Sequence, residues 1–378
     1  MADREPTTLA ELSPSVGSID AVEWDSLARG DPFISHAFLS ALEESGSVGP
    51  GTGWSPAPVR IMENGRMSAA APAYFKSHSQ GEYVFDHGWA EAWQRAGGAY
   101  YPKLLVAAPF TPVPGPRLLG YRPQDLLAAL EAVTAQAELS SAHINFIERS
   151  DAAACESRGW LIRDGIQYHW FNRGYGSFDN FLDALSSRKR KSIRRERAAA
   201  CEGLEIAALR GNQIGPAEWE AMWAFYQDTG ARKWGQPYLT RDFFDRIGAA
   251  MGDQLLLFLA FRDGQPIAGA LNVIGETALF GRYWGCVEEL PFLHFELSYY
   301  RAIEWAIDHG LTSVQAGAQG EHKIARGYEP VITRSAHFIP NPSFRSAIAE
   351  FVERERAAVR GEMEWLERAL PYRSSASA

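Results

Sequence analysis

Apolar and polar positions alternate along two stretches of the chain that each contain a tight-turn signal. VRIMENGRMSAAAPAYF turns at Asn64-Gly65, and LLLFLAFRDGQPIAGALNVIG turns at Asp263-Gly264. A two-residue type I′ turn requires positive φ at both central positions, which these dipeptides tolerate. A third strand-like run follows each hairpin, GEYVFDHGW in the first half and TALFGRYWG in the second. The pattern therefore predicts a three-strand antiparallel meander in each half.

The order of elements around the meanders also occurs twice. Helical segments starting at Trp24 and Trp219 precede the meanders, and PQDLLAALEAVTAQAELS and LSYYRAIEWAIDHG follow them with apolar residues at helical spacing. The strand-like runs HINFIE and SVQAGA come next, and then the glycine-aromatic pairs Gly159-Trp160 and Gly327-Tyr328. A repeat of this size indicates two duplicated domains.

The pattern of each copy thus predicts a mixed sheet covered by helices. This is an α/β fold in the broad sense, and α+β in the narrower one. One large doubly wound domain fits less well, because parallel strands need long crossovers. The predicted parts are a flexible N-terminus (1–20), a first domain (21–178), a basic linker helix (179–203), a second domain (204–342) and a C-terminal helix and tail (343–378).

Length and composition agree with two folded domains. The chain has 378 residues, 46% of them hydrophobic and 22% charged. It contains no apolar run of the roughly 20 residues that cross a bilayer, so we expect a cytoplasmic protein without a membrane span. Three widely spaced cysteines predict reduced thiols. A formal charge of -9 argues against a protein that coats nucleic acid as a whole.

Positive charge is concentrated between the copies, in LSSRKRKSIRRERAAACEG. One interpretation is a solvated connector, since most charged runs face water. The other is a phosphate contact through Arg190, Arg194 and Arg195, because an acidic chain gathers its cations here. Such a contact suits a nucleotide sugar or a tRNA.

The second copy contains the candidate catalytic residues. Glu321, His322 and Lys323 are consecutive in GAQGEHKIARGYEP, a triplet with no counterpart in the first copy. His294 and Glu296 alternate in LPFLHFELSYY, so both are predicted to face one side of an extended segment. A carboxyl group buried among aromatic side chains is suited to accept a proton near neutrality. The alternative is a helix-capping Glu296 and a His294 hydrogen-bonded in the core.

Candidate substrate-binding residues lie on neighbouring stretches. Arg282 suits a carboxylate or phosphate, and Trp284 suits a stacked base or sugar, although an edge arginine and a core tryptophan explain them equally well. Asp86 and His87 hold the corresponding place in the first copy, where they equally suit a turn. The set also contains Tyr299, Glu321 and Arg326.

Two other chemistries are weaker hypotheses. Cys286 with His294 as base would form a thiol nucleophile, but free cysteines are most often small buried hydrophobes. A metal held by His294, Glu296 and His322 lacks support from any close His-x-x-x-His pair, so no metal site is expected.

Long stretches of the chain resemble one protein family. They are SHSQGEYVFDHGWAEAW, YYPKLLVAAPFTPVPGPRLL, SSRKRKSIRRERAAA, GRYWGCVEELPFLHFELSYYRAIEWAI and AGAQGEHKIARGYEP. They resemble the FemAB-like family, labelled peptidoglycan biosynthesis/recognition and related to aminoacyl-tRNA-dependent peptidyltransferases. The resemblance implies two tandem GNAT-like domains. It also implies a role for Lys323, because FemX-type enzymes have a Phe-Lys pair before a Gly-Phe pair; here His322 replaces the Phe.

The acyl donor is predicted less directly. Ordinary GNAT enzymes bind the pyrophosphate of CoA on a glycine-rich loop that begins a helix. The second copy has CVEELPFLHFELSYY at that position, with no glycine and two carboxylates near its start, whereas residues 94–99 of the first copy fit the loop pattern.

The leading hypothesis is an N-acyltransferase that moves an activated acyl or aminoacyl group to an amine, possibly on a peptidoglycan precursor. Glu296 or His322 would take the amine proton, Lys323 and Arg326 would hold a phosphate or the oxyanion, and Arg282 would orient the substrate. No tightly bound cofactor is expected, and the donor is aminoacyl-tRNA or acyl-CoA. The alternatives are a CoA-dependent small-molecule N-acetyltransferase and a non-catalytic recognition protein.

Overall fold

A computed structural model describes residues 8–233, 237–317 and 320–373, without the side chains of residues 230–233 and 321. Its strands are β1 (Thr8–Leu12), β2 (Trp54–Pro56), β3 (Val59–Glu63), β4 (Arg66–Ala71), β5 (Ala73–Lys76), β6 (Lys103–Val106), β7 (Leu119–Gly120), β8 (Ala142–Ile147), β9 (Leu161–Phe171), β10 (Glu205–Arg210), β11 (Leu255–Arg262), β12 (Gln265–Ile274), β13 (Ala278–Cys286), β14 (Ser313–Gln315) and β15 (Glu329–Phe338).

The α-helices are α1 (Ala21–Ala28), α2 (His36–Glu44), α3 (His87–Arg95), α4 (Pro123–Gln136), α5 (Arg149–Ser157), α6 (Phe178–Ala184), α7 (Ser187–Ala200), α8 (Pro216–Lys233), α9 (Arg241–Met251), α10 (Leu293–Phe295), α11 (Arg301–Asp308) and α12 (Pro342–Arg368). A π-helical turn, Glu296–Tyr300, connects α10 to α11, and a 3-10 helix covers Glu321–Arg326. Shorter 3-10 turns cover Val16–Ser18, Gly211–Gln213 and Gly252–Gln254.

The chain forms two compact units, and neither is continuous in sequence. Unit 1 takes in the described parts of Met1–Gly165, Tyr238–Phe243 and Ile332–Arg360. Unit 2 takes in the described parts of Ile166–Pro237, Phe244–Val331 and Gly361–Ala378. The basic segment between the predicted copies therefore belongs to unit 2.

Each unit has a sheet with both parallel and antiparallel pairs. In unit 1 the strand order is β15-β8-β6-β5-β2, with β6 and β8 parallel, and a second sheet has the order β1-β3-β4-β7. In unit 2 the order is β10-β11-β12-β13-β14-β9, with β13 and β14 parallel. The predicted mixed sheets with covering helices are confirmed.

The final strand of each predicted copy lies in the unit formed mainly by the other copy. In unit 2, β9 pairs with β14 so that Trp170 faces Val314. In unit 1, β15 pairs with β8 so that His337 faces His143. The two copies therefore exchange their last strands.

Both predicted hairpins are present. Asn64 and Gly65 have φ of 53° and 80°, and Asp263 and Gly264 have φ of 51° and 76°. These positive values are the geometry that a type I′ turn requires. The meander in the second half, β11-β12-β13, is confirmed.

The third strand predicted in the first half is wrong. GEYVFDHGW forms a loop followed by α3, and β6 occupies the place beside β5. The reason is tertiary, because Glu82 and Asp86 both turn inward to bind the buried Lys103 ammonium group. A strand would place these two side chains on one face but about 13 Å apart, too far for both to reach one ammonium group.

The ends of the predicted domains also differ from the structure. Residues 8–12, inside the predicted flexible terminus, form β1 and pair with β3. The predicted linker helix is two helices, α6 and α7. No helix in the described part of the chain is long and apolar enough to span a membrane.

Candidate active site

A cleft opens in unit 2 where two parallel strands separate. β13 and β14 pair only over residues 278–280 and 313–315, after which β13 continues to Cys286. Within the described residues no strand pairs with this edge of β13 beyond Phe280, and a cleft of about 130 Å³ lies beside it. Its lining includes Gly281, Arg282, Trp284, His294, Ser298, Tyr299 and Gly317.

A β-bulge places Arg282 at the cleft. Leu271 faces Tyr283 and Asn272 faces Gly281, so Arg282 is the extra residue of β13. A bulge turns a side chain out of the regular alternation and is common next to active sites. The Arg282 guanidinium lies 5.5 Å from the Tyr283 ring centre.

Aromatic and imidazole rings form one side of the cleft. The His294 ring centre lies 5.0 Å from Trp284, 5.3 Å from Tyr299 and 6.4 Å from His322. Phe295 stacks on Tyr299 at 5.9 Å. The structure therefore brings together four residues that the sequence analysis selected separately.

Tyr299 and His322 are joined by a hydrogen bond. The phenol oxygen lies 2.9 Å from His322 Nε2, and His322 itself is exposed. Burial raises the pKa of Tyr299 well above its ordinary value. The Tyr299 phenol therefore keeps its proton at neutral pH and is a hydrogen-bonding group next to an imidazole that faces solvent.

Lys323 lies behind the cleft rather than in it. The residue is 1% exposed, and its Nζ donates a 2.8 Å hydrogen bond to the carbonyl oxygen of Gly317. Burial lowers the pKa of Lys323 to about 7. Burial and the charge of Lys323 lower the pKa of His169 to about 4.

Glu296 differs from its predicted setting. It lies in the π-helical turn and not in an extended segment, so that prediction is wrong. The residue is fully buried, and its carboxylate binds Arg197 at 2.9 Å and Arg301 at 2.8 Å. Two guanidinium groups occupy its oxygens, so the contacts favour an anchoring role over proton transfer.

Arg326 has partners inside the protein. Its Nη2 binds Glu196 at 2.8 Å, its Nη1 donates to the carbonyl oxygen of His322 at 2.9 Å, and its guanidinium lies 3.5 Å from the Phe295 ring centre. These contacts hold the 3-10 helix in place. They leave the arginine less suited to bind substrate phosphate.

The sequence analysis did not select three residues near this site. Ser298 lines the cleft, and its buried Oγ has no hydrogen-bond partner among the described residues. Asn272 is buried at the bulge, and its Nδ2 donates hydrogen bonds to the carbonyl oxygens of Leu256 and Ala270. Only Glu196 had a signal, as the single acid in the α7 sequence SRKRKSIRRERAAA.

The basic residues of α7 divide into paired and unpaired groups. Arg190 and Arg194 bind Asp183 and Asp179, each at 2.9 Å. Arg195 and Lys191 are exposed and make no ion pair within the described part of the chain. Two of the three predicted phosphate contacts thus have carboxylate partners already.

Asp86 and His87 belong to unit 1 and are not part of the unit 2 cleft. Asp86 is buried and accepts hydrogen bonds from Lys103 and, at 2.6 Å, from the Tyr100 hydroxyl. Burial raises the pKa of Asp86, but the charges of Lys103 and His143 and hydrogen bonds from Lys103 and Ser79 together lower it below its ordinary value. His87 is exposed at the start of α3. The side chain of Glu321 lies outside the described residues.

The glycine-rich pattern at residues 94–99 ends a helix instead of beginning one. The N–H groups of Ala96, Gly97 and Gly98 donate to carbonyl oxygens of α3. They are therefore unavailable to a pyrophosphate, which is bound by free N–H groups at the start of a helix.

Solved structures with the same fold span nearly the whole chain. FemX is 14% identical with a TM-score of 0.54, covering 88% of this chain and 98% of FemX. L-PGS from Bacillus licheniformis is 13% identical with a TM-score of 0.51, covering 86% of this chain and 96% of L-PGS. A conserved protein of unknown function from Bacteroides thetaiotaomicron VPI-5482 is 10% identical with a TM-score of 0.52, and the match covers 88% of this chain and 99% of that protein. The fold is that of the tandem GNAT class.

Sequence comparison gives the family. The model of the FemAB-like family, described as peptidoglycan biosynthesis/recognition, matches residues 15–374. The chain belongs to this family, as its resemblance predicted. No curated protein sequence matches the chain.

Proposed function

We propose that the protein is an N-acyltransferase that transfers an activated aminoacyl or acyl group to an amine of a peptidoglycan precursor. The observation that supports this most is the Tyr299–His322 pair beside the cleft at the open edge of β13. The family description supports the acceptor class.

The open edge of β13 suits the acyl group of the donor. Backbone N–H groups that no neighbouring strand occupies are preorganised donors for the oxyanion of a tetrahedral intermediate. Lys323 lies behind the cleft and holds the carbonyl of Gly317, which lines it, so its ammonium charge acts on the oxyanion through the wall of the cleft.

His322 and Tyr299 account for the protons of the transfer. The amine attacks the acyl carbon, the new C–N bond forms, and His322 accepts the proton that the amine loses. The bond to the leaving oxygen or sulfur then breaks, and Tyr299 donates the proton that the leaving group gains. Proton exchange across their 2.9 Å hydrogen bond restores both groups.

Aminoacyl-tRNA is the donor we favour. The pattern at residues 94–99 cannot offer its N–H groups to a pyrophosphate, whereas α7 presents exposed cations in unit 2. Mixing purified protein and an amine-bearing precursor with aminoacyl-tRNA or acetyl-CoA should give product only with the tRNA, as read by mass spectrometry. Product from acetyl-CoA would instead establish the CoA-dependent alternative, and none from either donor would leave a recognition protein.

Tyr299→Phe and His322→Gln should each lower kcat by about 100-fold, since each variant removes one proton-transfer group. Steady-state rates with saturating donor and acceptor measure the effect. Tyr121→Phe is the control, because Tyr121 is 70% exposed in unit 1. Wild-type rates in both site variants would refute this assignment.

Lys191→Ala combined with Arg195→Ala should weaken tRNA binding and lower the slope of log affinity against log salt by about 2, because two phosphate contacts are lost. Filter binding over a series of salt concentrations measures both quantities. Arg354→Ala is the control, being an exposed arginine on α12 of unit 1. An unchanged slope would show that α7 does not contact the tRNA.

A further inference from the structure

One carboxylate of α7 binds two separate elements of the unit 2 site. Glu196 Oε2 accepts a 2.5 Å hydrogen bond from the Tyr300 hydroxyl and a 2.8 Å hydrogen bond from Arg326 Nη2. Its Oε1 accepts from Ser192 Oγ at 3.2 Å, which fixes the side chain against its own helix. The Glu196 side chain is 15% exposed.

These two contacts lie next to the proton-transfer pair. Tyr300 follows Tyr299 in the π-helical turn, so its hydrogen bond fixes the backbone that holds the Tyr299 phenol. Arg326 also donates to the carbonyl oxygen of His322, at 2.9 Å. Glu196 is therefore linked to both partners of the Tyr299–His322 hydrogen bond, on one side through Tyr300 and on the other through Arg326.

We propose that Glu196 is a positioning residue that holds the π-helical turn and the 3-10 helix 321–326 together, keeping His322 on Tyr299 and Lys323 sealed from water. Its catalytic consequence rests on the proposed function, but its effect on the environment of Lys323 does not.

Charge explains why a carboxylate is needed at this position. The Arg326 side chain is 9% exposed, and a buried guanidinium without a counter-ion is costly. Its stacking on Phe295 supplies no negative charge. The neighbouring Arg197 binds Glu296 and Glu304, so those carboxylates are engaged elsewhere. Without Glu196 the Arg326 guanidinium is more stable in water than in the protein. Its movement toward solvent therefore displaces the 3-10 helix that carries it.

The test is Glu196→Gln in the full-length chain, read first by the pKa of Lys323. The chain has six lysines, so with ¹³C at their ε-carbons NMR follows each lysine over a pH series, and the signal lost in Lys323→Met is that of Lys323. In the wild type the titration midpoint is expected at the lowered pKa of Lys323, about 7. In Glu196→Gln the loosened helix admits water, and we expect this midpoint to rise by about one pH unit or more.

The direction of this shift separates positioning from a direct charge effect. Loss of a nearby negative charge would lower the pKa of a lysine, whereas exposure to water raises it toward its ordinary value. Glu196→Asp keeps the charge but withdraws it by one methylene from Arg326, so it should also raise the midpoint. Glu329→Gln is the matched control, because Glu329 pairs with Arg173 in unit 2 with a similar side-chain exposure of 17%.

The second measurement, after the titration midpoint of Lys323, is turnover. Glu196→Gln should lower kcat by about tenfold with little change in KM, because misplaced catalytic groups slow the chemical step more than binding. A Lys323 midpoint that stays at the wild-type value in both Glu196 variants would overturn the proposal, whatever happens to turnover. If the wild type shows no transferase activity, the proposed function fails, and the titration midpoint of Lys323 still decides the positioning role.

Discussion

Lys103→Met should remove most of the stability of unit 1. The side chain of Lys103 is fully buried, and its ammonium group binds Glu82 at 2.8 Å, Ser79 at 2.8 Å and the carboxylate of Asp86. Removing one partner of a buried ion pair costs about 3–5 kcal/mol, because the other charge remains buried and unpaired. Here two carboxylates lose their cation, against a total stability of about 5–15 kcal/mol for a typical protein. Urea unfolding monitored by tryptophan fluorescence measures the loss.

The effect of Lys103→Met should grow with pH. Without the cation both buried carboxyl groups titrate above their unfolded pKa, so the folded variant binds more protons than its unfolded chain. Stability of the variant therefore falls as the pH rises, and the loss is smaller at pH 5 than at pH 8. Lys191→Met on the exposed face of α7 is the control, with an expected change below about 0.5 kcal/mol. Equal stability of Lys103→Met and the wild type at pH 8 would contradict the prediction.

Lys323→Met should make the protein more stable and nearly inactive. The methionine matches the lysine stem in this buried site, and the variant no longer buries an ammonium group that, among the described residues, donates a hydrogen bond to the Gly317 carbonyl. Burial lowers the pKa of Lys323 from 10.5 to about 7, and each pKa unit corresponds to about 1.4 kcal/mol. The expected gain is several kcal/mol, while kcat falls by about 100-fold or more through the lost oxyanion stabilisation.

The sign of the pH dependence is set by the lowered pKa. Between pH 7 and 10.5 the unfolded chain holds a proton on Lys323 that the folded protein lacks, so wild-type stability rises across this window. The stability gain of Lys323→Met is therefore full below pH 7 and disappears near pH 10.5. Thermal unfolding at several pH values, together with turnover, tests both parts.

Lys76→Met is the matched control for Lys323→Met. Lys76 is fully buried in unit 1, its Nζ lies 3.8 Å from the Trp54 ring centre, and burial lowers its pKa to about 7 as well. Lys76→Met should raise stability without changing turnover. If Lys323→Met kept full activity, the lysine would have only a structural role.

The local pattern of the chain predicted most of the fold. Both hairpins follow from Asn64-Gly65 and Asp263-Gly264, because the positive φ that these turns need is a property of the dipeptides themselves. The loop at 81–86 was predicted as a strand because its alternation resembles one. Its conformation depends on Lys103, about 20 residues away in sequence, and no local pattern contains that contact.

The candidate site was predicted in part for the same reason. Trp284, His294, Tyr299 and His322 were selected from residue type and neighbourhood, and the structure places their rings together. The carboxylate of Glu296 was selected as a base because the sequence does not reveal the two arginines that bind it. Glu196 and Ser298 were not selected, because their places beside the site depend on how α7, the π-helical turn and the 3-10 helix pack.

The exchange of final strands has a consequence for the order of events during synthesis. Unit 1 needs residues 332–360, so its sheet cannot be completed until nearly the whole polypeptide has left the ribosome. Unit 2 likewise includes the described residues 361–373. In many proteins the N-terminal domain folds while the next domain is still being translated. We expect that this order of folding does not occur here. A nascent chain arrested before residue 332 should therefore remain sensitive to protease, and neither half of the gene should yield a folded product by itself.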